Sequence, residues 1–313
     1  MQSGYIMSGN TPVASFSGRV VTPILPALAP LCFRNGGDLN TWLEMRAADN
    51  YWVRFDGEPA TRWEDARLFQ DNLAELTLRG RPTASTQPLR CNTPELTNTG
   101  SYEKCWKLEN GRWVMHKRGT PEEIFSEAFA AELGKLLGFP MAEYWAAEDC
   151  VVTRDFTAGQ FNLEPMAYLT GEDEDYGTNY NTLKRLRPGL EQEYLDILFM
   201  DTLVLNADRH TQNFGVLRDR ETGEIVSMAP NYDNNQALIS RGYADDPTRI
   251  SNVLADMLHE LLREEGIAYQ PPALEENAVR EVAYRIMPEA EIDREYVVRF
   301  VIANYQKFQQ KQV

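Results

Sequence analysis

The sequence predicts an α+β protein, with antiparallel strands in its first half and mainly helices in its second. Three observations carry that expectation. Residues 104–117, KCWKLENGRWVMHK, read as strand, turn and strand about Glu109-Asn110-Gly111. From Thr120 onward, apolar residues recur at three- and four-residue spacing in stretches of helical length. Inside that helical half, FGVLRD and EIVSMAP, joined by Glu-Thr-Gly, form a second hairpin. The 313 residues, 43% hydrophobic and 25% charged, suffice for one bilobal domain or two modest ones.

Chemistry concentrates around the second hairpin. Tyr194 to Leu205 (YLDILFMDTLVL) is apolar nearly all round, as a buried helix is. It leads into a loop holding Asp208, Arg209, His210 and Asn213, and the hairpin returns the chain to a second loop with Asp233, Asn234 and Asn235. An antiparallel return brings Asp208 and Asp233, distant in sequence, side by side. Phosphoryl transfer needs that arrangement: one carboxylate orients the hydroxyl nucleophile or accepts its proton, and a second, with an amide oxygen, holds Mg²⁺ against the phosphates of ATP. Asp208 fits the first role, Asn213 and Asp233 the second. Singly, Asp and Asn are common turn and cap formers; the ordered set D-R-H-x-x-N, hairpin, Y-D-N is what points to catalysis. Oxygen donors suit a hard cation, and no Cys/His cluster competes for a soft one. His210 has two readings, orienting the loop through backbone contacts or touching a phosphate. Asp201 is expected to hydrogen-bond the loop from behind.

N-A-D-R-H-T-Q-N-F followed by A-P-N-Y-D-N resembles the catalytic and metal-binding loops of the HipA-type Ser/Thr kinases, toxin kinases of bacterial toxin–antitoxin modules and their relatives. The D-R-H-x-x-N order also resembles the phosphoinositide kinases, a cousin on the same fold. The resemblance covers about residues 96–260. It implies a two-lobed protein-kinase-like fold, a small antiparallel-sheet N-lobe and a mainly helical C-lobe, working on ATP with Mg²⁺. Three segments are then expected: an accessory segment 1–95, a nucleotide-binding N-lobe and hinge 96–170, and a helical catalytic C-lobe 171–313.

Taken in order, residues 1–33 suggest a short strand or two and a Pro-rich connector. Helical patterns cover Asp38 to Ala48 and WEDARLFQDNLAELTL, with Trp52 and Trp63 as core anchors and 80–92 as a linker. The stretch T-G-S-Y-E-K is similar to the HipA phosphate loop, which implies backbone N–H groups of Gly100, Ser101 and Tyr102, and the Lys104 side chain, over the ATP phosphates. Thr97, Thr99 and Ser101 offer hydroxyls there, and the family implies autophosphorylation. Thr120-Pro121-Glu122-Glu123 is a capping box with Pro at the first helical position, and Gly138 closes that helix. Its apolar stripe is Phe125, Phe129, Leu133, Leu136 and Leu137, beside a narrow stripe of Glu127, Ala131, Gly134 and Gly138. The resemblance gives strand Lys117 and helix Glu127 the paired roles that fix the α/β-phosphates. Residues 141–153 read as two strands, and Arg154-Asp155-Phe156 resembles the family's R-F-D element. Phe161 to Met166 becomes the hinge, with backbone near Glu164 to Met166 meeting the adenine edge and Met166 packing on the ring. Beyond the hairpin, Asn252–Glu265, Leu274–Met287 and Arg294–Gln310 are amphipathic helices.

A net charge of −16, from 47 acids against 31 bases, argues against broad affinity for nucleic acid or an anionic membrane. Cys32, Cys91, Cys105 and Cys150 are widely spaced with no C-x-x-C pair, as for buried thiols in a reducing cytoplasm. No signal peptide is evident, and the apolar run Val20 to Phe33 is broken by three prolines. The expected partners are a protein substrate with a Ser or Thr hydroxyl and, by family resemblance, a HipB-like antitoxin. A small-molecule or phosphoinositide-type kinase and a catalytically inactive nucleotide-binding module are the alternatives.

Overall fold

The computed structural model describes residues 3–40, 42, 51–57, 62–63, 104–109, 112–147, 149–287 and 289–310. Of the helix expected over Asp38 to Ala48 only residues 38–40 and 42 are described; most of the next expected helix, the 80–92 linker, and Thr97, Thr99, Gly100, Ser101 and Tyr102 of the expected phosphate loop lie outside the described residues. The strands are β1 (Ser3–Ser8), β2 (Thr11–Ser17), β3 (Val20–Pro23), β4 (Tyr51–Phe55), β5 (Lys104–Glu109), β6 (Arg112–Arg118), β7 (Tyr144–Ala147), β8 (Cys150–Arg154), β9 (Phe161–Pro165), β10 (Gly215–Asp219) and β11 (Ile225–Met228). The helices are α1 (Pro121–Leu136), α2 (Ala167–Thr170), α3 (Tyr176–Leu186), α4 (Leu190–Val204), α5 (Val253–Glu264), α6 (Glu276–Arg285) and α7 (Arg294–Gln310). The chain groups into two compact units. One is Met1–Lys117, Arg154–Glu172 and Phe214–Ala229; the other is Arg118–Thr153, Asp173–Asn213 and Pro230–Val313.

In the first unit, an antiparallel sheet runs in the order β3-β2-β1-β4. Ile6 faces Ala14 on one side and Val53 on the other, and these pack with Val13, Phe16, Phe33, Trp42 and Tyr51 into one core. Trp52 and Trp63 are buried, as expected of core anchors. Strand β4 has no counterpart in the sequence reading. Its burial runs through three consecutive residues, Tyr51, Trp52 and Val53, so the period-two alternation that marks a half-buried strand is absent. The β5–β6 hairpin forms as expected, and its register sets Lys104 directly opposite Lys117. The second hairpin also forms, with Val216 opposite Met228 and Leu217 opposite Ser227. It is joined on its other edge by β9, giving a three-stranded sheet ordered β11-β10-β9. Gly215 makes that junction possible: a Cβ there would lie 2.2 Å from the Glu164 carbonyl oxygen.

The second unit is mainly helical, with β7 and β8 paired antiparallel. At the start of α1, the Thr120 hydroxyl accepts the Glu123 N–H, and the Glu123 carboxylate accepts the Thr120 N–H. Gly134 lets Met141 pass close by; a Cβ would meet its sulfur at 2.3 Å. The expected apolar stripe of α1 needs one correction, because Leu136 is 48% exposed while Leu133, Gly134 and Leu137 around it are buried: Leu136 leaves the helix on its open face. Helix α4 starts a turn earlier than its apolar run, at Leu190, and is the buried centre of the unit. Phe199 on α4 meets Phe139, Tyr269, Tyr305 and Phe308 at ring-centroid distances of 5.1–6.5 Å. Burying a ring of that size stabilises the fold by about 1.5–3 kcal/mol. Asn252 caps α5 by accepting the Ala255 N–H, and its own amide donates to the Thr202 carbonyl of α4.

Candidate active site

Helix α4 ends because Leu205 turns into the left-handed region (φ 51°) and the Asn206 N–H bonds back to the Asp201 carbonyl. The loop that follows is held by a single buried arginine. Arg209 directs Nε and Nη2 at the two Asp201 carboxylate oxygens (3.0 and 2.9 Å). Its Nη1 donates to the carbonyls of Asn213 (2.8 Å) and Tyr232 (2.6 Å), and Nη2 also meets Oδ1 of Asn231 (2.9 Å) and Asn234 (2.8 Å). All five guanidinium N–H groups are thereby engaged. Burial opposes the charge on Arg209, but the Asp201 carboxylate more than offsets it and holds the guanidinium above its ordinary value. Asp201 thus does bond the loop from behind, through the arginine next to the candidate catalytic aspartate.

Asn206 ties the same two loops a second way. Its Oδ1 accepts the Asp208 N–H (3.2 Å), while its Nδ2 donates to the Asp233 carbonyl (3.4 Å) and to Asn234 Oδ1 (3.2 Å). Tyr232 adds a third tie by donating its hydroxyl to the Gln212 carbonyl (2.8 Å). The loops bearing Asp208, Asn213 and Asp233 are therefore brought together and cross-linked. Asp208 is half-buried, and Asn213 is buried. The Asn213 amide nitrogen donates to the Asp208 carbonyl (2.9 Å), which leaves its Oδ1 as the atom able to meet a cation. His210 works within the loop: its N–H donates to the Asp208 carbonyl (2.9 Å), its carbonyl accepts the Asn213 N–H (2.8 Å), and Nδ1 accepts the Gln212 N–H (3.3 Å). Glu127, fully buried on α1, accepts the Asn234 N–H at 2.6 Å, so this carboxylate supports the second loop. Among the described residues no group of three His, Cys, Asp or Glu side chains converges as a metal cage. Donors limited to one carboxylate and one amide oxygen fit Mg²⁺, which takes few protein ligands and completes its octahedron with waters and phosphate oxygens.

In the other unit, Lys117 is buried on β6 and Lys104 is half-buried opposite it on β5, so both side chains leave the same face of one hairpin. Glu164 and Met166 are placed differently from the sequence expectation. The Glu164 carboxylate is fully buried, paired with Arg218 and accepting hydrogen bonds from the Tyr51 hydroxyl (3.1 Å) and the Leu31 N–H (3.0 Å). Burial pushes Glu164 up, and Arg218 only partly opposes that. The Met166 N–H is engaged by the Phe214 carbonyl (2.9 Å), and its side chain is enclosed by protein. Both side chains are enclosed by protein, and the backbone here is already engaged: Glu164 is paired with Val216 of β10, and Met166 with Phe214. Arg218 also donates to the carbonyls of Ala27, Ala29 (3.0 Å) and Gly223 (3.1 Å).

Asn206, Arg209, Asn231 and Asn234 are the site residues to which sequence reasoning assigned no role. Their signal was present in N-A-D-R-H and N-Y-D-N, but each type taken alone is a common turn former.

No family model and no curated protein matches the sequence. Solved structures do. The chain has the mixed α/β, kinase-like fold of the HipA-like kinases. It is similar to HipA of Shewanella oneidensis MR-1, determined in a toxin–antitoxin complex with HipB and operator DNA, with a TM-score of 0.57 and 14% identity over 98% of this chain and 97% of that one. It is also similar to the Helicobacter pylori proinflammatory kinase CtkA, with a TM-score of 0.54 and 18% identity over 69% of this chain and 91% of that one.

Proposed function

We propose that the protein is an ATP- and Mg²⁺-dependent phosphotransferase of the HipA type that acts on Ser or Thr hydroxyls of proteins. The observation that carries this reading is the Arg209–Asn206 network, which locks Asp208, Asn213 and Asp233 into adjoining loops. Asp208 orients the substrate hydroxyl and accepts its proton. Asn213 through Oδ1 and Asp233 through its carboxylate hold Mg²⁺, which when bound neutralises charge on the phosphate oxygens. Lys104 and Lys117, opposite one another on one hairpin, bind the ATP phosphates. By the same reading Thr97, Thr99 or Ser101 is an autophosphorylation site, and a HipB-like antitoxin is a partner, as for the Shewanella protein. A reducing cytoplasmic setting fits the buried thiols of Cys32 and Cys150.

The test is labelling with γ-labelled ATP and Mg²⁺, using purified protein alone and with a cell extract. Label on the chain or on extract proteins, lost in Asp208→Ala, is the expected result. Label confined to small solutes indicates a small-molecule kinase. No transfer despite nucleotide binding indicates an inactive module.

A further inference from the structure

Resting on the phosphotransferase reading, we propose that Tyr144 is a positioning residue for the divalent metal. With Glu127, it grips two consecutive backbone N–H groups of the second loop and fixes Asp233 in the one backbone conformation that makes it a ligand. Asp233 has φ 61°, in the left-handed region, which costs a residue with a Cβ about 1–2 kcal/mol unless its surroundings compensate. Three bonds pin it there. Its N–H donates to the Tyr144 hydroxyl oxygen (3.2 Å), its carbonyl accepts from Asn206 Nδ2 (3.4 Å), and the next N–H, of Asn234, donates to Glu127 Oε1 (2.6 Å). A backbone held at both flanking peptides has a fixed Cα–Cβ direction, so the carboxylate is left only its χ1 and χ2 rotations to choose among.

The tyrosine is itself held in register. The segment leading into β7 runs beside the loop: the Asn231 N–H donates to the Pro140 carbonyl (2.9 Å), the Ala142 N–H donates to the Asn231 carbonyl (3.0 Å), and Met141 and Asn231 form a parallel bridge. At the other end Tyr144 pairs with Thr153 of β8. Tyr144 is 8% exposed, so its hydroxyl oxygen has little water to compete with the Asp233 amide. Neither the D-R-H-x-x-N motif nor the Lys–Glu pair assigns this residue.

Tyr144→Phe removes the acceptor and keeps the ring. Mn²⁺ serves as the probe, titrated by electron paramagnetic resonance against the full chain with a non-hydrolysable ATP analogue. The variant is expected to bind Mn²⁺ about tenfold more weakly, the usual effect of losing an outer-shell partner. Analogue binding in EDTA is expected to be unchanged. Unchanged Mn²⁺ affinity in Tyr144→Phe, with Mn²⁺ binding abolished in Asp233→Asn, refutes the role of Tyr144 and leaves the metal site standing. Mn²⁺ binding that survives Asp233→Asn refutes the metal site, and the positioning role with it. Deuterium exchange gives a readout that needs no variant: amides of residues 231–235 exchange slowly in the unmodified protein without metal, and rapid exchange there overturns the proposal.

Discussion

Replacing Arg209 with Met gives the sharpest test of the network around Asp201. The change keeps an unbranched apolar stem and removes six hydrogen-bonded contacts, leaving a fully buried carboxylate without its counter-charge. Breaking one side of a buried pair costs about 3–5 kcal/mol, which for a chain of this size is a fall of roughly 10 °C in Tm. The pH dependence identifies the cause. Burial already pushes Asp201 above the ordinary carboxylate value, with Arg209 pulling it back. Without Arg209 the folded carboxyl rises further. A raised acid destabilises the fold only above its unfolded value, about 3.9, and the deficit grows by about 1.4 kcal/mol per pH unit until the folded group ionises. Calorimetry should therefore show a larger deficit for Arg209→Met at pH 8 than at pH 5, the part left at pH 5 coming from the Asn213 and Tyr232 carbonyls that have lost their donor. Arg209→Lys keeps a charge but not the fork, so it should lie between the two and still lose phosphate transfer. An equal deficit at pH 5 and pH 8, or a Met variant as stable as the parent, would refute the reasoning.

Asp208→Ala should lower phosphate transfer by about 10²–10⁴-fold with nucleotide binding retained, measured by labelling beside calorimetric titration of ATP. Lys117→Ala and Lys104→Ala should each raise KM for ATP, and the double variant should bind ATP less weakly than the sum of the two predicts. Cross-strand partners sharing one anion couple in that way, and strict additivity in the cycle would count against a shared phosphate site. Gly215→Ala, which sets a methyl 2.2 Å from the Glu164 carbonyl, should cost about 1–3 kcal/mol in urea unfolding; a neutral result would mean the β9–β10 junction is looser than described.

The parts of this molecule legible in the sequence are those encoded locally. The capping box at Thr120, the pairing of β5 with β6, the return hairpin and the three C-terminal helices each follow from residues within a few positions of one another. The approach of the loops that carry Asp208, Asn213 and Asp233 is legible too, because a hairpin joins the two short motifs. What remained hidden depends on partners that periodicity cannot name. The Arg209 acceptors are backbone carbonyls of Asn213 and Tyr232, which no side-chain pattern announces. Met166 was read as an open hinge because nothing in its neighbourhood reveals that Phe214 claims its N–H. The Glu164–Arg218 pair is equally hidden, because it joins side chains far apart in sequence and a buried arginine in a strand is uncommon.

Two buried arginines, Arg209 in the loop before β10 and Arg218 on it, do the same physical work. A buried ion pair adds little stability over an apolar replacement, so stability alone does not account for either. What each supplies is a fork of donors for carbonyls that no helix or sheet satisfies. Arg218 takes those of Ala27, Ala29 and Gly223; Arg209 takes those of Asn213 and Tyr232. Irregular backbone left buried without such donors would cost about 1–3 kcal/mol per group. Catalytic loops are irregular by necessity, since their side chains must converge from directions that regular elements do not offer. A guanidinium anchored by an acid on a rigid helix is a means of making such a loop as definite as the helix itself. Lysine lacks the planar fork to do so, which is why the D-R-H arginine, beside the candidate base and not part of the chemistry, decides whether the aspartates on either side of the hairpin meet.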